Sequence, residues 1–165
     1  MKKLLLTCLA ALSLALPLPA SALCLFCWCT SSTTPVAFGA YDPLSSSPND
    51  SEGGVHFTCG GLVGGFVTYN VTLGKGANSS TFNPRRMYNA TAVSYLNYNI
   101  YTTSGRTTVW GNGTESTQTI TGNVTILVLG GTSRDIVAYG RIPGSQSSAK
   151  PGNYLDTVVV TVTYN

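Results

Sequence analysis

Apolar residues recur with a period of two in several separate runs along the chain. Val67, Tyr69, Val71 and Leu73 share one face of GFVTYNVTLG, with Thr68, Asn70 and Thr72 on the other. Leu96, Tyr98 and Ile100 repeat this in YLNYNIYT, and Val124, Ile126 and Val128 alternate with Thr125, Leu127 and Leu129. Ile136, Ala138 and Gly140 follow in DIVAYGRI, and Val158, Val160, Val162 and Tyr164 alternate with Val159, Thr161 and Thr163. A strand sends successive side chains to opposite faces, so each run predicts a strand with one buried face. Beyond the first 22 residues, no stretch carries a helix-period apolar face of useful length. Between the runs lie GGLVGG, GKGANSSTFNP, TTSGR, WGNGTES, LGGTSRD and PGSQSSAKPGN, rich in residues that suit turns. About seven short strands spaced in this way predict one all-β domain, a sandwich of immunoglobulin-like type, without an internal repeat.

Two stretches break the regularity. In TPVAFGAYDPLSSSPND, Val36, Phe38 and Ala40 alternate with Ala37, Gly39 and Tyr41, and then Asp42-Pro43 halts the strand. The other is DTVVVTVTYN, a valine-rich strand that runs to Asn165 with no hairpin after it. Such an edge is an aggregation hazard unless an earlier segment, or a strand from another chain, covers it.

Composition adds the compartment. Lys2 and Lys3, an apolar run from Leu4 to Leu16 and Ala20-Ser21-Ala22 form the three parts of a secretory signal peptide, residues 1–22. Pro17 and Pro19 close the run too early for a membrane span, and no second run of spanning length follows. The expected mature domain is therefore residues 23–165, with no integral membrane segment. Two of the nine basic residues leave with the signal, and the rest nearly balance the six acids. No footprint for a nucleic-acid backbone appears, and the pair Arg85-Arg86 reads as a solvated turn. Cys8 also leaves, and Cys24, Cys27, Cys29 and Cys59 remain, an even number that suggests disulfides with three possible pairings. Cys24-x-x-Cys27 lacks the second Cys or His pair of a zinc site.

Candidate chemistry is sparse. His56 has no acid near it in sequence, and Asp50 and Glu52 read as solvated loop residues. GGLVGG lacks the Gly-Lys-Ser/Thr of a phosphate loop and reads as a hairpin; Gly74-Lys75-Gly76 fails the same test. These readings point away from an enzyme and name no catalytic residue, cofactor or metal. The tyrosines, with Trp28 and Trp110, suit half-buried strand faces, and a sugar-binding surface is the alternative.

The order Cys29, Val36-Ala37-Phe38-Gly39-x-Tyr41-Asp42-Pro43, Cys59 resembles the opening of the spore coat protein U domain family, which includes subunits of archaic chaperone–usher pili. The resemblance continues through Leu73-Gly74-Lys75-Gly76, Arg86-Met87, Leu96-x-Tyr98-Asn99-Ile100-Tyr101 and Val109-Trp110-Gly111. It closes with Tyr139-Gly140-Arg141-Ile142-Pro143, Gly152-x-Tyr154-x-Asp156 and Val160-Thr161-Val162-Thr163-Tyr164.

The resemblance implies an incomplete immunoglobulin-like β-sandwich lacking its last strand. The partners it implies are a periplasmic chaperone, an outer-membrane usher and neighbouring pilus subunits, joined by strand addition. The product would be an exported surface pilus or fibre that supports adhesion and biofilm formation. By the same resemblance Cys29 would bond Cys59, leaving Cys24 and Cys27 outside the usual pattern, where pairing with each other would close a strained loop. Val36, Phe38, Val158, Val160, Val162 and Tyr164 would form the strand-exchange edge and groove. Gly39, Tyr41, Asp42 and Pro43 would form the corner after the first strand, with Phe38 in the core and Gly39 at a close backbone approach. Only Leu23 to Trp28 precede Cys29, roughly 20 Å when extended, which favours a terminal or accessory subunit over a strand donor. The alternative is a secreted carbohydrate-binding or coat module with a self-complete sandwich.

Overall fold

The computed structural model describes residues 27–62, 65–126 and 129–165. The expected signal peptide, Cys24 and the segment Leu23 to Phe26 lie outside these residues. Eight strands and no helix make up the described chain: β1 (Trp28–Thr34), β2 (Asn49–Gly60), β3 (Gly65–Leu73), β4 (Arg85–Asn89), β5 (Ser94–Tyr101), β6 (Ile120–Ile126), β7 (Gly131–Ile142) and β8 (Val160–Tyr164). They form a five-stranded sheet in the order β1-β2-β7-β5-β4 and a three-stranded sheet in the order β6-β3-β8. Every pairing between these strands is antiparallel.

The alternation written in the sequence decides which faces meet. Val55 and Phe57 of β2, Leu96, Tyr98 and Ile100 of β5 and Ala138 and Ile142 of β7 are buried. So are Val67, Tyr69, Val71 and Leu73 of β3 and Val124 and Ile126 of β6. These residues form a single core, consistent with an immunoglobulin-like sandwich. Phe57 meets Tyr69 edge to face at 4.8 Å, one contact between the two sheets. Trp110, fully buried, donates its indole N–H to the Val71 carbonyl at 3.0 Å.

Several expectations are corrected. Gly60 to Gly65 is not a hairpin, because β2 and β3 lie in different sheets and do not pair. Asp50 and Glu52 lie on β2, where the register sets Asp50 opposite Arg141 and the two make a bidentate pair, both bonds 2.7 Å. His56 does have an acid partner: β7 brings Asp135 opposite it, and Nδ1 lies 2.6 Å from Oδ1 on an exposed face. Arg85 is not in a solvated turn. It is fully buried on β4 and donates to the carbonyls of Gly74 and Trp110 and to Asn99 Oδ1, all at 2.7 Å. Burial pulls the guanidinium's pKa down, and an arginine stays charged even so. The run Val36 to Tyr41 is not a strand, since β1 ends at Thr34.

Candidate functional site

The chain leaves β1 at Pro35, which has no N–H to continue a ladder, and crosses the inner side of the five-stranded sheet. Two glycines make room for it. A Cβ at Gly53 would lie 2.6 Å from the Thr34 carbonyl oxygen, and one at Gly140 would lie 2.4 Å from Val36 Cγ1. Val36 and Phe38 are half-buried and pack on the core, with the Phe38 ring 6.0 Å from that of Tyr98. Side chains of β2 hold this segment where a neighbouring strand otherwise would. Asn49 Nδ2 donates to the Phe38 and Ala40 carbonyls at 3.1 and 2.9 Å, and Ser51 Oγ to that of Ala37 at 2.6 Å. Among the described residues the backbone N–H groups from Val36 to Tyr41 make no hydrogen bond.

The corner follows. Gly39 is not a close approach: its φ is +68°, and a Cβ there would meet nothing within 4 Å. It is a left-handed residue, which glycine adopts without steric cost. Asp42 Oδ1 accepts from Leu44 N at 2.9 Å, an Asx turn that bends the chain at Pro43. Tyr41 donates its hydroxyl proton to the Pro143 carbonyl at 2.8 Å and fixes the corner to the end of β7.

Facing this segment is the last stretch of chain. Leu155 exchanges both backbone bonds with Tyr88 of β4, at 2.8 and 3.1 Å. Gly74 and Ala77 then donate to the carbonyls of Val159 and Thr157, and β8 continues along β3. The stretch thus switches from the edge of one sheet to the edge of the other. Asp156 sits at the switch. Its Oδ1 accepts from Ala77 N, Asn78 N and Asn78 Nδ2 between 2.9 and 3.2 Å, and its Oδ2 from the Tyr98 hydroxyl at 2.7 Å. Burial, and then the bond to Asp156, push the Tyr98 phenol far up in pKa. Gly76, at φ +93°, is the only residue type that fits beside this carboxylate, because a Cβ would lie 2.1 Å from Oδ2.

The outer edge of β8 is bare. Thr68 and Asn165 exchange both backbone bonds at 3.0 Å. Bonded and non-bonded pairs alternate in an antiparallel ladder, so Val160, Val162 and Tyr164 aim their N–H and C=O groups away from β3. Among the described residues β8 has no second neighbour.

Between the two segments lie adjoining hollows of about 890 and 440 Å³. Val36, Phe38, Met87 and Tyr154 line both; Leu96 and Ile142 line the larger, and Val55, Ile100, Val158 and Val160 the smaller. The result is an apolar groove open to the core, walled on one side by a stretch whose backbone N–H groups make no hydrogen bond among the described residues and on the other by a stretch that ends in the bare edge of β8. Of the residues expected at the groove, Val36, Phe38, Val158 and Val160 line it. Val162 and Tyr164 sit further along the same bare edge, outside both hollows, and Tyr164 is 42% exposed. Asn49 and Ser51, which help hold the site, were not singled out from the sequence; Arg85 was read as a solvated turn, and Asp156 was named only within the family pattern.

Cys29 and Cys59 are directly opposite in the β1–β2 register and are joined by a disulfide. Cys27 is also a disulfide cysteine, and its expected pairing with Cys24 lies outside the described residues. Trp28 belongs to β1 rather than to a free extension, pairing with Gly60.

Comparison with known proteins now decides the family. The Spore Coat Protein U domain matches residues 19–161. The chain belongs to the spore coat protein U domain family. It is 33% identical to Protein U of Myxococcus xanthus over 134 residues, which cover 77% of this chain and 70% of the relative. It also shares the fold of a chain in the CsuC–CsuE chaperone–tip adhesion subunit pre-assembly complex, from the archaic chaperone–usher Csu pili of Acinetobacter baumannii. That likeness has a TM-score of 0.50 at 23% identity, covering 82% of this chain and 39% of the solved one.

Proposed function

We propose that this spore coat protein U domain is a structural, non-catalytic subunit of a bacterial surface pilus, assembled by donor-strand complementation. Residues 1–22 direct export and are removed. The remaining chain is an immunoglobulin-like sandwich one strand short, and the groove between Val36–Tyr41 and Tyr154–Val162 is where that strand belongs. A periplasmic chaperone fills it first, and a neighbouring subunit's strand replaces the chaperone at an outer-membrane usher. The finished fibre reaches the cell surface, where it serves adhesion and biofilm formation.

The observation that carries this reading is the groove itself. The free N–H groups of Val36 to Tyr41 and the bare edge of β8 flank an apolar trough that opens on the core, a geometry that suits strand addition. Backbone bonds to both walls would supply affinity, and side chains entering the hollows would set the register.

Val160 and Val159 separate this reading from a general effect on the strand. Val160 lines the groove, whereas its neighbour Val159 is 67% exposed on the opposite face. Co-expressed with its chaperone in a periplasm, Val160→Asp is expected to lose capture and incorporation into fibres, and Val159→Asp to keep both. Wild-type capture of Val160→Asp would sink the proposal.

A further inference from the structure

The inward row of the β8 wall reads Tyr154, Asp156, Val158, Val160, Val162, so one carboxylate interrupts a line of apolar side chains. Asp156 and the buried Tyr98 beneath it both line the smaller hollow. Three donors saturate Asp156 Oδ1, whereas Oδ2 accepts only the Tyr98 hydroxyl. A carboxylate oxygen has room for a second bond, and a phenol that has donated its proton still has lone pairs to offer. The nearby cation does not fill this capacity: the hydrogen bonds of Arg85 go to Gly74, Trp110 and Asn99, and none goes to Asp156.

From this we infer that the strand that fills the groove carries a small or hydroxyl-bearing residue, rather than a large apolar one, where it passes Tyr98 and Asp156. The inference rests on the strand-accepting reading and specifies the chemistry of the occupant, an extended segment of another polypeptide. Its inward side chains lie beside those of the β8 wall, directly or diagonally opposite. A Leu or Ile against Asp156 would strip water from a charged acceptor and return nothing. Ser or Thr would donate to it, and Gly or Ala would leave room for a bridging water. A slip of two residues would move a large side chain onto the carboxylate. The polar spot therefore selects one register by penalising the others.

The test uses the oxidised mature chain and synthetic strands that span the groove, with Val at every inward position and Thr at every outward one. Each inward Val is replaced in turn by Ser, and binding is read by titration and by the shift in melting temperature. One position is expected to bind about tenfold tighter as Ser than as Val, and the others to bind more weakly. At the favoured position on the unaltered chain, Ser and Ala are expected to exceed Leu. Tyr98→Phe removes the one donor that Oδ2 has and is expected to widen the Ser preference. If Ser weakens binding at every position, or Leu binds best at all of them, the polar spot does not select and the inference is wrong. If no strand binds at all, the groove is not an acceptor and the proposed function falls with it.

Discussion

β3 and β8 lie side by side in one sheet, and their sequences read alike: apolar residues alternate with threonine or asparagine in both. Their burial differs. On β3 the inward Val67, Val71 and Leu73 are 3% exposed or less, whereas Val160 and Val162 of β8 are half-buried and Tyr164 is open. Val71 and Val162 are direct cross-strand partners, so residue type and register are held constant between them. What differs is the number of neighbours. β3 has β6 on one side and β8 on the other, while β8 has β3 alone among the described residues. Trp110 and Arg85 also tie β3 down, through the carbonyls of Val71 and Gly74. Burial is thus a property of the assembly around a strand, and a strand with the composition of a core element need not be one until something covers it.

The comparison can be broken most forcefully at the closed side. Arg85→Leu would leave the carbonyls of Gly74 and Trp110 and the Asn99 side chain without their buried donor. A loss of roughly 3–5 kcal/mol is expected in urea unfolding. A loss near zero would mean that β3 is not held as described. The next test is a matched pair. Val71→Ala is expected to cost roughly 2–3 kcal/mol, and Val162→Ala under about 1 kcal/mol, in the isolated subunit. Equal costs would remove the contrast, and a rise in the Val162→Ala cost once a strand is bound would sharpen it.

The smallest effect lies on the outer face of the other sheet. The hydrogen bond from Arg141 holds the Asp50 carboxyl below its ordinary value of 3.8. A depressed carboxylate contributes its stability above that ordinary value and loses it as pH falls through the lowered one. Asp50 is about a third exposed, so screening should keep the loss under about 1 kcal/mol. Acid titration of Asp50→Asn against the parent would measure it, and capture of a strand at β8 should not differ between them.

How much of this was readable depends on what each element uses to hold itself. β3, β5 and β8 are held by a period-two apolar face, and that pattern is visible in a single sequence. β4 and the start of β2 are held by particular partners. Arg85 is buried because Gly74, Trp110 and Asn99 converge on it, and Asp50 is on a strand because Arg141 is opposite. Neither convergence leaves a mark in local composition. The run Val36 to Tyr41 is the instructive error. Its alternation is real, because Val36 and Phe38 do face the core, but periodicity reports side chains and not backbone pairing. Pro35, which has no N–H to donate, was the local sign that the ladder had ended. At the groove, the apolar residues were legible, whereas the polar supports Asn49 and Ser51 act across stretches of chain and were not, and Asp156 was visible only as part of the family pattern.

The bond between Cys29 and Cys59 closes a covalent ring around residues 30–58, and the segment Val36 to Tyr41 lies inside that ring. A pull applied to the chain ahead of Cys29 passes straight across the sulfurs to Cys59. The intervening residues, including one whole wall of the groove, stand out of the line of tension.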